Sequence, residues 1–134
     1  MIDWIKSIQQ LIPEMVILGG YARYKMGYES TYDKTWIDVK VPSKHSLEPL
    51  KSSGRLTWFQ SDFQSSVTHR AVWKSPQGYY LDIFVDNKDR EYVIVDDLKC
   101  QPIHEAISFV EEYIQEMGTN PYMESKLTKL RNYI

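Results

Sequence analysis

An apolar run that stops at two glycines, Met15-Val16-Ile17-Leu18-Gly19-Gly20-Tyr21-Ala22-Arg23, limits what this chain can fold into more than any other feature. Four consecutive apolar residues are the mark of a buried strand. The glycine pair breaks that strand and feeds a short helix-like segment, Tyr21 to Met26, which Gly27 ends. Two later segments alternate with the period of a strand, and each carries a carboxylate. In residues 36–41, Ile37, Val39 and Val41 share one face, with Trp36, Asp38 and Lys40 on the other. In residues 79–86, Tyr79, Leu81, Ile83 and Val85 share one face, with Tyr80, Asp82, Phe84 and Asp86 opposite. Asp38 and Asp82 therefore sit in matching contexts, each on the face turned away from the apolar residues. If the two strands are neighbours, the carboxylates lie close together. They would then repel and raise one pKa unless a cation sits between them.

The remaining elements follow from periodicity and punctuation. Residues 3–11 place Trp4, Ile5, Ile8 and Leu11 or Ile12 on one helical face, with Asp3 as N-cap and Pro13 as the stop. Residues 43–52 read as a helix capped by Ser43 or Ser46 and ended near Gly54. Residues 55–63 and 66–74 read as strands or an irregular pair. Ser75-Pro76-Gln77-Gly78 is a turn signal that makes a hairpin of the flanking segments. Residues 87–90 form a turn and 92–95 a further strand. Pro102 opens an amphipathic helix through Met117, closed by Gly118, with Ile103, Ala106, Ile107, Val110, Tyr113 and Ile114 inward. Asn120-Pro121 starts a last helix to about Tyr133. This order predicts an α+β fold: a mixed sheet flanked by helices, with two C-terminal helices, in one domain spanning residues 1–134.

Composition narrows the function classes. At 134 residues and a net charge of -2, the chain has no global basic field for a nucleic-acid backbone, although a local basic groove stays open. No apolar run is long enough to span a membrane, and the N-terminus lacks the build of a signal peptide. The single cysteine, Cys100, excludes an intramolecular disulfide, so a cytoplasmic setting is expected. His45, His69 and His104 lack the spacing of a metal site. There is no Gly-x-Ser-x-Gly elbow and no Gly-x-x-x-x-Gly-Lys phosphate loop.

What remains is phosphate chemistry. A glycine turn that opens a helix presents free N–H groups and a favourable dipole to an anion, and Arg23 lies on the first turn. Strand-borne Asp38 and Asp82 can hold Mg²⁺, which takes one or two carboxylates plus water and phosphate oxygens. Each feature also has a plainer account: a tight strand-to-helix turn, solvated carboxylates paired with Lys or Arg, and a surface arginine. Lys126, Lys129 and Arg131 make one side of the last helix basic, which fits a solvated face or, second, phosphate binding.

Taken together, Leu18-Gly19-Gly20-Tyr21-Ala22-Arg23, Thr35-Trp36-Ile37-Asp38-Val39 and Tyr80-Leu81-Asp82-Ile83 resemble the core of the polymerase β-type nucleotidyltransferases in their small single-domain form. The stretch from Val95 to Pro102 and the helix after it are similar to the strand and helix that close that core in antibiotic and antitoxin-like members. The resemblance covers roughly residues 14–115. It implies an enzyme that binds a nucleoside triphosphate with Mg²⁺ and passes a nucleoside monophosphate to an acceptor hydroxyl. Asp38 and Asp82 would be the catalytic and metal-binding residues, and Gly19, Gly20, Arg23 and Lys40 would contact the nucleotide. Small members often need a second subunit to complete the cleft, so a homodimer is in keeping with it.

The chain departs from the family at one place. The family strand carries two carboxylates at i and i+2, and here Asp38 stands alone, with Trp36 before it and Lys40 after it. A cation can mimic one charge of Mg²⁺, but it cannot bridge phosphates and activate a hydroxyl. The alternative is therefore a catalytically degraded nucleotidyltransferase-fold protein that binds a nucleotide or a partner protein, as an antitoxin or anti-defence inhibitor would. A third reading is a structural domain whose exposed Tyr and Trp form a protein interface.

Overall fold

A computed structural model describes residues 4–60 and 62–134 of the chain. The elements run α1 (Trp4–Leu11), β1 (Val16–Ile17), α2 (Gly19–Lys25), β2 (Trp36–Val41), a 3₁₀ helix (Lys44–Leu50), β3 (Arg55–Phe59), β4 (Val67–Lys74), β5 (Tyr80–Asp86), β6 (Val93–Val95), β7 (Leu98–Cys100), α3 (Ile103–Met117) and α4 (Pro121–Arg131). The fold is α+β, as the sequence predicts. The expected Asp3 cap of α1 lies outside the described residues.

All seven strands form one mixed sheet in the order β3-β4-β5-β2-β1-β7-β6. The β4–β5 hairpin closes through Ser75, whose N–H bonds the Tyr79 carbonyl at 2.8 Å and whose hydroxyl accepts the Tyr79 N–H at 2.9 Å. β2 and β5 pair in parallel with Asp38 opposite Asp82. That pairing needs a long connection: after Val41 the chain leaves the sheet through the 3₁₀ helix (Lys44–Leu50), then runs along the sheet edge as β3 and β4 before β5 returns beside β2.

Period-two alternation then decides the two faces. Ile37, Val39, Val41, Leu81, Ile83 and Val85 point into the larger core, where Ile5 and Ile8 of α1 and Leu47 and Leu50 of the 3₁₀ helix cover them. The helix expected here is a 3₁₀ helix; Pro49 lies within it, and in an α-helix its ring would clash with the carbonyl four residues earlier. On the opposite face, α3 and α4 pack on each other through Ile103, Ala106, Ile107, Val110 and Leu130. Phe109 of α3 reaches the sheet at Phe84, with ring centroids 5.8 Å apart. Asn120 caps α4 by accepting the Met123 N–H at 2.9 Å, with Pro121 in the first turn.

β7 is the strand that periodicity does not reveal. It pairs parallel to β1 and antiparallel to β6. The β6–β7 turn is Asp96-Asp97, both with positive φ (53° and 62°), in a place where Asn-Gly or Asp-Gly is usual. Asp96 also accepts from Lys6 at 2.9 Å and Lys25 at 2.8 Å, so its carboxylate ties this turn to α1 and α2. Hydrogen bonds from both lysines hold its pKa down at about 2. Cys100 on β7 is fully buried, and burial pushes its thiol up to about 11. Its thiol is expected to stay unreacted with a disulfide reagent in the native protein at neutral pH and to react once the chain is unfolded.

Candidate functional site

Three elements bring Gly19, Gly20, Arg23, Asp38 and Asp82 of the expected site together, and leave Lys40 apart. The last residue before the glycines, Leu18, donates its N–H to the Asp38 carbonyl at 2.8 Å, which docks the bend onto β2. Gly19 has φ +63°, and a Cβ there would lie 2.8 Å from Asp38 Oδ2. The position therefore needs glycine both for its backbone conformation and for the close approach of the carboxylate. Gly20 meets no such limit, since a Cβ there would have only Glu29 and Arg23 side-chain atoms at 3.9 and 4.0 Å. Asp38 and Asp82 are opposite one another on adjacent parallel strands, so their Cα atoms are about 4.8 Å apart.

The two carboxylates meet different surroundings. Asp82 is ion-paired to Arg70 at 2.8 Å. The Arg70 guanidinium lies over the Phe84 ring, 3.8 Å from its centroid, which orients it toward the acid. Asp38 is mostly buried. Burial first, and the neighbouring Asp82 charge second, push its pKa up to about 6, against the pull of Lys126, Arg70 and Arg23. Lys126 belongs to α4 and faces Asp38 across a small cavity; burial lowers its pKa while Asp38 opposes the shift.

Arg23 does not face open solvent either. It forms an ion pair with Glu29, which also accepts the Tyr133 hydroxyl at 2.9 Å and has Lys129 Nζ at 3.5 Å. Burial alone would raise Glu29, but the bonds from Arg23 and Tyr133 hold its carboxyl below the usual range. Glu29 thus links α2 to the end of α4. Arg131 bonds Glu111 of α3 at 2.9 Å. Lys129 and Arg131 stay exposed while making these contacts, as a solvated face would, and of the three only Lys126 turns inward. Lys40 stands apart from the bend: it is buried, and its ammonium donates to the Lys88 carbonyl at 3.3 Å. Asp33 caps its own loop by accepting from Thr35 N and Oγ1 at 2.9 and 2.8 Å.

With α4 in place, the space between Gly19, Arg23, Asp38, Phe84 and Lys126 is about 40 Å³. That holds one or a few waters, whereas small-molecule sites typically offer about 300–1,000 Å³. The donor set does not fit Mg²⁺. One carboxylate already has a guanidinium partner and the other faces an ammonium. Among the described residues, no three His, Cys, Asp or Glu side chains converge in a way that could hold a metal ion.

Local sequence does not mark Arg70 as part of this site, and it offers Lys126 only within a basic helix side, with phosphate binding as the second account. A usable signal exists for Arg70: the Ser75–Gly78 turn sets Val72 opposite Asp82, which puts Arg70 one pair along on the same face.

Among the described residues, no helix is long and apolar enough to cross a membrane. No family model matches the chain. The chain is similar to the SWI/SNF chromatin-remodeling complex subunit SNF5 of Saccharomyces cerevisiae, with 28% identity over 143 aligned residues. The alignment covers 94% of this chain and 16% of that much longer protein.

Proposed function

We propose that this chain is a nucleotidyltransferase-fold protein that has lost turnover and works by binding. One observation carries the reading: side-chain cations take the place a metal would need, with Arg70 on Asp82 and Lys126 opposite Asp38. Nucleotidyl transfer draws on metal-borne charge that neutralises the phosphates and activates the attacking hydroxyl. An ammonium or guanidinium supplies charge but no exchangeable coordination position. The size of the cavity argues the same way: about 40 Å³ beside α4 gives a triphosphate no room, and Leu130 anchors α4 at 1% exposure.

A second reading, an active nucleotidyltransferase, is favoured by the close approach of Gly19 to Asp38 and by the register of Asp38 with Asp82. Pyrophosphate release separates the two. The purified protein, incubated with each NTP and Mg²⁺ or Mn²⁺, is expected to release no more pyrophosphate than its Asp38→Ala and Asp82→Ala variants. Metal-dependent release that disappears in either variant would select the enzyme instead.

A further inference from the structure

We propose that the uncovered part of the β3-β4-β5-β2 sheet, on the face that carries Asp82, binds single-stranded nucleic acid. The inference stands apart from the reading of the cleft. α3 and α4 cover this face at Asp38 and Phe84, and Phe63 lies over Arg70 and Phe84, while Arg55, Lys74 and Trp36 in the outer row stay exposed.

Register defines that row. Arg55 is opposite Lys74, Lys74 opposite Tyr80, and Tyr80 opposite Trp36, so four strands line up two cations and two aromatic rings. The Trp36 and Tyr80 rings stack with centroids 4.6 Å apart and planes 21° apart. Lys74 Nζ lies 5.6 Å from the Tyr80 centroid. Tyr80 is thus covered on one side by Lys74 and on the other by Trp36, which leaves Trp36, 42% exposed, as the ring with surface to offer. Two pairs further along the same face, Phe59 on β3 is 50% exposed. Three strand spacings and four residues separate Trp36 from Phe59, a diagonal of about 20 Å. That is the length of a short oligonucleotide rather than of a single base.

Charge argues for a polyanion with stackable rings. Arg55 and Lys74 are exposed and enter no ion pair among the described residues. The strand-borne acids of this face are paired or covered, Asp82 by Arg70 at 2.8 Å, Asp86 by Arg90 at 2.7 Å and Asp38 beneath α4, while Asp33 before Trp36 is held in its loop by Thr35 at 2.8 Å. Asp62 lies beyond Phe59, so the phosphate-attracting end is the one with Arg55, Lys74 and Trp36. Aromatic platforms beside backbone-tracking cations are how sequence-tolerant single-strand sites are built, and a duplex hides the base faces such rings need. With a chain charge of -2, long-range steering is weak, so binding should be modest and sensitive to salt.

The test is fluorescence anisotropy of labelled oligo-dT and oligo-U of about twelve nucleotides, and of a duplex of equal length, at low and physiological salt. Wild-type protein is expected to bind both single strands and to prefer them to the duplex. Trp36→Ala should weaken binding about tenfold, the value of one base stack. Lys74→Ala and Arg55→Ala should each weaken it for every sequence and reduce the salt slope by about 0.7. All three side chains are exposed at the surface, and an unchanged melting temperature would show that the variants fold. Absence of oligonucleotide binding at low salt overturns the proposal, as does binding that Trp36→Ala leaves intact. A protein partner whose capture is lost in Trp36→Ala, with no oligonucleotide bound, would likewise overturn it and make the face a protein interface. None of these outcomes bears on pyrophosphate release, so the two readings fail separately.

Discussion

Replacing Arg90 with alanine is expected to cost about 3–5 kcal/mol, the largest stability loss foreseen for a single polar side chain here. Asp86 is fully buried at the end of β5, and the Arg90 side chain is 2% exposed. Arg90 Nε donates to Asp86 Oδ2 at 2.7 Å, Nη1 to Glu112 Oε2 at 2.7 Å, and Nη2 to Ser66 Oγ at 3.3 Å. Asp86 Oδ1 accepts the Lys88 N–H at 2.9 Å, so the turn after β5 is folded around the pair. One guanidinium thereby connects the sheet, the turn and α3, with the Phe109 ring 5.1 Å from its centre. Truncation leaves the Asp86 carboxylate in a dry site without its main counter-ion, and that uncompensated charge is the cost. A domain of this size has about 5–15 kcal/mol in all, so the variant should sit near its unfolding threshold. Urea denaturation measures the loss. The Asp86→Asn/Arg90→Met double variant should lose less than Arg90→Ala alone, because no buried charge is stranded. A single-variant loss below about 1 kcal/mol would mean that water or Lys40 reaches Asp86 in solution.

The parts of this fold that the sequence makes readable are those where one face is buried. Alternation in 36–41 and 79–86 had to put Asp38 and Asp82 opposite the apolar residues, because a one-residue slip would have exposed Ile37, Val39, Leu81 and Ile83. Ser75–Gly78, Asn120-Pro121 and Gly118 announce themselves because their chemistry is local. What stays hidden depends on partners distant in sequence. The parallel pairing of β2 with β5 is decided by the whole β3–β4 excursion, which no window of residues contains. β7 is too short for periodicity, and its Asp-Asp turn imitates a solvated loop. α4 carries only a weak apolar stripe, so its basic side is legible but not the fact that Lys126 turns inward over Asp38 while Lys129 and Tyr133 reach Glu29. The site's acids are thus legible, and the cations that neutralise them are not.

That asymmetry yields a second large effect, at Asp38. Its carboxyl has an ordinary value near 3.8 and is pushed up to about 6 in the fold, by burial and then by Asp82. A raised carboxyl binds its proton more tightly when folded than when unfolded. Stability is therefore highest below about pH 4 as far as this group is concerned and falls as pH rises through about 6. At about 1.4 kcal/mol per pH unit the full effect approaches 3 kcal/mol. Solvent screening through the cavity reduces it to about 2 kcal/mol. Asp38→Asn removes the charge and keeps the shape beside Gly19. It is expected to raise stability by about 1–2 kcal/mol at pH 8 and to change it little at pH 4. Part of the gain is lost because Lys126 is left without its counter-charge, so Asp38→Asn/Lys126→Met should gain more than Asp38→Asn at pH 8. Denaturant midpoints of the three proteins across that pH range test the scheme. A wild-type stability that instead rises from pH 4 to pH 8, lost in Asp38→Asn, would show that the carboxylate is stabilised as an anion. Lys126 would then satisfy Asp38 fully, and the acid pair would hold no residual demand for a cation. The expected fall describes a carboxylate pair only partly answered by the cations of its own chain.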